Sequence, residues 1–328
     1  MRAAWRDKYG GPDVVYVRDL PVPEPAAGEV LVRVVAASVN RGDLDGLYPR
    51  WQFVRLFGGL RAPRESNRRV GIDAAGVVEA VGEGVTTLAV GNRVFSDLSS
   101  AEAAGAFAEF VVAPAERLAT IPDGISFEDA ACLPHSGVIA IHAFRPRGTR
   151  TLQEGERVLV VGASGNVGPF CVQLAKSKGA HVTAVASGDK LDFVRSLGAD
   201  EAVDYRTTDY TRPGERYDWV VDVNSHHPLR RWLGALNPGG VYVCYAGSAW
   251  WLFSSAVVGP ILSRLTGKHV GLGFIAPFKS EYVDELKQLT VRGVFQPVID
   301  RRFPLDEVRE ALRYVDEGKP RGKVLVVP

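Results

Sequence analysis

Arg157-Val-Leu-Val-Val-Gly162-Ala-Ser-Gly165-Asn-Val-Gly168, running straight into Pro169-Phe-Cys-Val-Gln-Leu-Ala-Lys176, decides how the rest of the chain is read. The unbroken Val/Leu run predicts a parallel strand buried on both faces. The glycines that follow let backbone N–H groups approach a pyrophosphate at the start of the next helix. In the register of G-x-G-x-x-G the first glycine is replaced, leaving Ala163-Ser164-Gly165-Asn166-Val167-Gly168. A second β-like run, Ala180-His-Val-Thr-Ala-Val-Ala186, follows at the spacing of a βαβ unit, so the stretch predicts a dinucleotide-binding turn.

Outward from this turn, residues 126–268 alternate helix and strand. Lys190–Gly198 reads as an amphipathic helix stopped by glycine, and Glu201–Tyr205, Tyr217–Asp222 and Gly240–Tyr245 read as short strands, which together predict a doubly wound parallel sheet. Residues 1–125 differ: Val30–Ala37, Gly76–Gly82, Asn92–Ser96 and Ala106–Ala113 are strand-like runs set between Gly/Pro turns, as in a β-rich domain. Residues 269–328 return to mixed elements, with a helix near Leu305–Glu317 and a closing strand in Gly322–Pro328. This order predicts a nucleotide domain inserted in a discontinuous catalytic domain.

A length of 328 residues is enough for two domains, and a formal net charge of +1 gives no reason to expect nucleic acid. The first residues read as a mixed strand and not as a leader, so a cytoplasmic setting is expected. Cys132, Cys171 and Cys244 are far apart and flanked by apolar residues, as buried thiols are. They lack zinc spacing, and no His-x-x-x-His pair exists, so no metal is expected. Val241–Leu265 is rich in apolar residues, but Gly, Ser, Pro260 and Arg264 interrupt it, and no membrane span is expected. Trp250, Trp251, Leu252 and Phe253 are too apolar for an ordinary surface loop and point to a pocket lining or a subunit contact.

Several motifs carry a resemblance over nearly the whole length: Ala37-Ser-Val-Asn40, Gly71-Ile-Asp-Ala-Ala-Gly-Val-Val-Glu-Ala-Val-Gly82, Gly91-Asn-Arg-Val-Phe95, Gly105-Ala-Phe-Ala-Glu109, Val158–Gly168 and Gly322-Lys-Val. With them the chain resembles the zinc-independent medium-chain dehydrogenase/reductases of the quinone-oxidoreductase (zeta-crystallin-like) type. The resemblance implies a Rossmann doubly wound parallel sheet inserted in a GroES-like β-rich catalytic domain, and a homodimer. Zinc-dependent relatives place a cysteine where this chain has Asn40 and Gly-His-Glu where it has Gly71-Ile72-Asp73. They also carry a four-cysteine lobe that this chain lacks. Polarising a substrate carbonyl then falls to hydrogen bonds.

The tip of the second strand bears on the choice of dinucleotide. Ser187 offers a hydroxyl to a phosphate and Lys190 a positive charge, while Tyr205 resembles the tyrosine that packs on the 2′-phosphate in the family; NADPH is favoured. In the opposing reading Asp189 binds the ribose diol and Lys190 is a solvated helix residue. Ser164, Gly165, Asn166, Val167 and Gly168 are expected along the pyrophosphate. The resemblance adds Ser136, Tyr245, Ala246, Phe274 and Lys323 around the nicotinamide end.

For proton donation the resemblance points to Tyr48, in Asn40-Arg-Gly-Asp43-Leu-Asp-Gly46-Leu-Tyr48-Pro49, which matches the pattern around the active-site tyrosine of related enoyl reductases. Asn40 would hold the nicotinamide ribose or the substrate, and Asp43 would orient the loop. His135 stands in a Pro-x-x-Gly turn where relatives carry Gln or another residue, and offers a proton near neutral pH. The apolar residues and arginines between Tyr48 and Arg69, Trp51, Phe53, Leu56 and Phe57 among them, are expected at the rim of the substrate site. They suit a bulky apolar small molecule or the phosphates of a thioester. The expected activity is NADPH-dependent reduction of quinones or α,β-unsaturated carbonyl compounds. An enoyl-thioester reductase and a noncatalytic NADPH-binding protein remain alternatives.

Overall fold

The computed structural model describes residues 1–48, 59–99, 105–146, 150–212, 214–224, 227–247, 249–273, 278 and 280–328. They form two compact units, the first made of Met1–His135, Pro277–Val291 and Pro297–Pro328, the second of Ser136–Ala276 and Arg292–Gln296.

The first unit is built on a seven-stranded sheet. Its organising strand is Glu29–Val39, a Val/Ala-rich run with two register irregularities against Asp73–Val81. The resulting bends let its first half pair with Phe110–Pro114 and its second half with Lys323–Val327, while Asp73–Val81 follows it on the other side. Val30, Val32, Ala37, Val39, Val94, Phe107, Leu312 and Val324 fill the core under this sheet. Register places the site residues: Ser38 lies opposite Asp73, Asp73 opposite Asp97, and Val324 opposite Val39. Four segments distant in sequence therefore end side by side.

The second unit carries six strands in the order Glu201–Asp204, His181–Ala186, Arg157–Val161, Tyr217–Asp222, Leu236–Cys244, His269–Leu272, each parallel to its neighbour. The order reverses at Arg157–Val161, the strand that runs into the glycine turn, and ligands bind at such reversal points. Leu159, Val161, Val220 and Tyr242 are buried, and Trp232 stacks on Tyr242 at 5.1 Å between ring centroids. Trp250–Phe253 do not form a loop: they open the helix Ala249–Thr266.

Candidate active site

The glycine turn shows what each glycine is for. Gly162 has φ +79°, a left-handed conformation that side chains with a Cβ avoid. A Cβ on Gly168 would strike the carbonyl oxygen of Gly162 and lie 2.5 Å from Ala163 Cα, so this glycine lets the helix Gly168–Ser177 start against the strand end. Gly165 differs: a Cβ there would meet only Gly162 O at 3.5 Å, an ordinary contact. Among the described residues no contact requires glycine at 165, and the open space is what a pyrophosphate close to the backbone needs. Gly165, Asn166 and Val167 are half-buried, Ser164 is buried, and no side chain caps the helix N-terminus. The residues present fit a dinucleotide.

At the next strand tip, the Tyr205 N–H donates to Ala186 O (3.2 Å), which brings Ser187 and Tyr205 to the same edge. Ser187 is buried and hydrogen-bonded to Asp189, whose carboxyl that bond holds below its ordinary value. Lys190 is also buried and closes a tight turn through its N–H on Ser187 O (2.8 Å). Sequence reasoning missed Arg206. Its guanidinium lies 5.7 Å from the Tyr205 ring centroid and 3.7 Å from Asp189 Oδ1, in the open. The signal was a basic residue directly after the strand-tip tyrosine.

Of the residues expected at the nicotinamide end, Ser136 is fully buried, and Tyr245 and Ala246 are half-buried after the strand Leu236–Cys244. Phe274 lies outside the described residues, as do Trp51, Phe53, Leu56 and Phe57. Tyr245 has a partner the sequence did not disclose: its hydroxyl lies 2.6 Å from His142 Nδ1.

In the first unit Asn40, Lys323 and His135 come together around buried carboxylates. Lys323 Nζ donates to Asn40 Oδ1 (2.8 Å) and lies 4.0 Å from Asp73 Oδ2. Asn40 Nδ2 donates to Asp73 Oδ2 (2.9 Å), and Ser38 Oγ donates to the same oxygen (3.1 Å). His135 reaches two carboxylates: its backbone N–H donates to Asp73 Oδ1 (3.2 Å), and Nδ1 pairs with Asp97 Oδ2 (3.0 Å). The Asn40 backbone N–H donates to Asp43 Oδ2 (2.7 Å), and Asp43 Oδ1 has no hydrogen-bond partner among the described residues. Asp97 carried no expectation; it is the last residue of its strand, where a carboxylate points off the sheet end.

Burial sets the electrostatics. It pushes the Asp43 carboxyl up to about 7 and the Asp73 carboxyl up to about 6, in both cases reinforced by a neighbouring carboxylate. Burial likewise lowers Lys323, against the pull of Asp73. For His135 burial opposes the charged ring, but the hydrogen bond and charge of Asp97, aided by Asp73, hold the imidazole above its ordinary value. Nε2 has no hydrogen-bond partner among the described residues and lies toward Gly42, 3.8 Å from where a Cβ would sit there.

Tyr48 is not part of this cluster. Its hydroxyl donates to Asp316 Oδ2 (3.1 Å), beside the Arg41–Asp316 ion pair, and packs against Gly11. Burial and that carboxylate raise its pKa, which makes it a weaker acid. A zinc ion does not fit the donors at Asn40 and Asp73. Asn40 turns its amide N–H groups toward Asp73, Ile72 supplies no ligand, and the Lys323 ammonium already provides the local cation. Among the described residues no three His, Cys, Asp or Glu side chains are grouped to hold a metal.

Comparison with known proteins agrees with this architecture. Residues 26–123 match the alcohol dehydrogenase GroES-like domain and residues 197–326 the zinc-binding dehydrogenase model. The chain is 31% identical to a chloroplast envelope quinone oxidoreductase homolog of Arabidopsis thaliana, covering 100% of this chain and 98% of the relative. It is also 31% identical to an NADPH-dependent alkenal/one oxidoreductase of the same plant, over 100% of this chain and 80% of that one. A mycobacterial protein solved in complex with NADPH superposes with a TM-score of 0.82 at 26% identity, over 100% of both chains. The chain belongs to the medium-chain dehydrogenase/reductase family, in its quinone-oxidoreductase group, and is an oxidoreductase that works with a nicotinamide cofactor.

Proposed function

We propose that the protein is an NADPH-dependent reductase of quinones or α,β-unsaturated carbonyl compounds, with His135 as its proton donor. The observation that carries this reading is the buried cluster in which Asp97 and Asp73 favour the protonated form of His135 while Lys323 lies beside Asn40. A nicotinamide bound at the glycine turn supplies a hydride. A quinone or enone that has accepted a hydride is an oxyanion, and it needs a proton to become product. His135 would supply it: the Asp97 bond at Nδ1 favours the protonated ring, and Nε2 has no hydrogen-bond partner among the described residues. Lys323, held by Asn40, supplies positive charge beside it, the role a metal has in zinc-dependent relatives.

Preference for NADPH rests on Arg206 and Tyr205 at the strand tip beside Ser187, which suit a 2′-phosphate better than Asp189 suits a ribose diol, since Asp189 already has partners in Ser187 and Arg206. NADPH and NADH oxidation measured against a panel of quinones, enones and enoyl thioesters tests the reading. Turnover with quinones or enones and NADPH is the expected outcome. Saturable NADPH binding without turnover on any acceptor would replace it with a noncatalytic binding role.

A further inference from the structure

We propose that Gly42 and Ile72 bound the opening through which an acceptor's oxygen reaches His135 Nε2, and that its width selects compounds unbranched beside the carbonyl. The proposal rests on the reading of His135 as proton donor. Gly42 lies in the first turn of the short helix Arg41–Leu47, although glycine is a poor helix former. The backbone does not require it: its φ is not positive, and a Cβ built on it would first meet the Ile72 Cδ1 methyl at 3.3 Å, the end of a movable side chain. The next atoms it would meet belong to His135, Nε2 at 3.8 Å and Cε1 at 3.9 Å. The missing side chain is therefore what leaves Nε2 uncovered on this side. Gly46 in the same helix is the contrast, since a Cβ there would meet nothing within 4 Å among the described residues and would cover no group of the site.

Hydrogen bonds hold each wall of the opening. The Asn40 N–H donates to Asp43 Oδ2 (2.7 Å) and the Asp43 N–H to Asn40 O (3.1 Å), which fixes the turn that carries Gly42. Ile72 O accepts the Leu98 N–H (2.6 Å), and Gly71 O, one residue earlier, accepts the N–H groups of Gly105 (3.0 Å) and Ala106 (3.1 Å). His135 is held through its backbone N–H by Asp73 and through Nδ1 by Asp97. Walls tied in this way do not part easily for a branched group. Gly42 and Ile72, both half-buried, present only carbon to the opening, so neither competes with an incoming oxygen for Nε2. A quinone edge or an enone with a methyl beside its carbonyl fits such a gap, whereas a quaternary carbon there strikes the Ile72 methyl.

Two ketones read the width in the presence of NADPH: benzylideneacetone, with a methyl beside the carbonyl, and benzylidenepinacolone, with a tert-butyl group. The wild type is expected to favour the methyl ketone in kcat/KM, and Ile72→Ala to raise the relative kcat/KM of the tert-butyl ketone about tenfold. A second readout does not depend on turnover: carbethoxylation by diethyl pyrocarbonate at pH 8, followed at His135 by peptide mass mapping. Gly42→Val is expected to slow modification of His135 about tenfold, and Gly46→Ala to leave it at the wild-type rate. Gly42→Ala, whose Cβ needs only a small shift of the Ile72 methyl, replaces Gly42→Val if that variant does not fold, and slows the reaction to a lesser extent. An unchanged ketone ratio in Ile72→Ala overturns the proposal, as does a Gly42 variant modified at the wild-type rate. A wild type that reduces neither ketone nor any quinone overturns the reductase reading and the acceptor selection with it, while the rate at His135 separately decides whether Gly42 bounds the opening.

Discussion

Lys323 Nζ donates a 2.8 Å hydrogen bond to Asn40 Oδ1 across 283 positions of sequence, and both side chains are buried. The ammonium lies beside Asp73, so Lys323→Met leaves the carboxylates without their cation. Removing one partner of a buried charged pair costs about 3–5 kcal/mol. Urea unfolding at pH 8 should show a loss of that order. At pH 5 the loss should shrink, because Asp73 and Asp43, raised to about 6 and about 7, are then protonated.

His135→Gln should lower kcat for an enone by about a hundredfold, the usual size of a lost general acid. Wild-type kcat should fall as pH rises through a value above the ordinary histidine pKa of about 6.5, because the Asp97 bond raises it. The charged ring also stabilises the fold: that contribution is complete below the unfolded-state pKa and is lost as pH rises through the folded one. The variant should show a flat profile across the same range. If both enzymes trace the same pH curve, the proton comes from elsewhere.

Asp43→Asn tests the oxygen Oδ1, which has no partner among the described residues. The folded-state pKa of Asp43, raised to about 7, means the native protein opposes its ionisation, and stability falls as pH climbs from the unfolded-state value through the folded one. The amide removes that burden while its oxygen can still accept the Asn40 N–H. Melting at pH 8 should show the variant more stable by roughly 1–3 kcal/mol, with little difference at pH 4. A variant destabilised equally at both pH values would refute this.

Tyr48→Phe should leave kcat within about twofold and lower stability by about 1 kcal/mol, the worth of the bond to Asp316. Steady-state kinetics and a denaturant titration on the same preparation decide it. A large fall in kcat with unchanged stability would return Tyr48 to the chemistry.

At the cofactor end, Gly168→Ala should weaken nicotinamide binding more than tenfold, since its Cβ meets the turn backbone, not a movable side chain. Arg206→Ser should leave NADH binding unchanged and reduce NADPH affinity about tenfold, as expected for one lost cation near a phosphate. Fluorescence titration with both nucleotides reads both effects.

The turn, the strands around it and the β-rich first segment were legible because their signals are local: a Val/Leu run, glycines at fixed offsets, alternation between Gly/Pro turns. Asn40, His135 and Lys323 were each singled out by motif, yet nothing local shows that they share a carboxylate. Asp97 and Arg206 were passed over because a carboxylate at a strand end and an arginine after a tyrosine are unremarkable in one dimension. Ser38 opposite Asp73 and Asp73 opposite Asp97 set Asp97 beside the carboxylate that Asn40 and His135 share.

By itself, then, the sequence determined the class of fold, the dinucleotide turn and the set of candidate residues, since these follow from periodicity and from the conformational freedom of glycine. Only the tertiary structure decided which candidates lie together. It joined Lys323 to Asn40, gave His135 its Asp97 partner and tied Tyr48 to Asp316 instead. The reason is physical: proton affinity inside a protein depends on burial and on charges a few ångströms away, and the fold brings those charges from segments 38 to 283 positions apart.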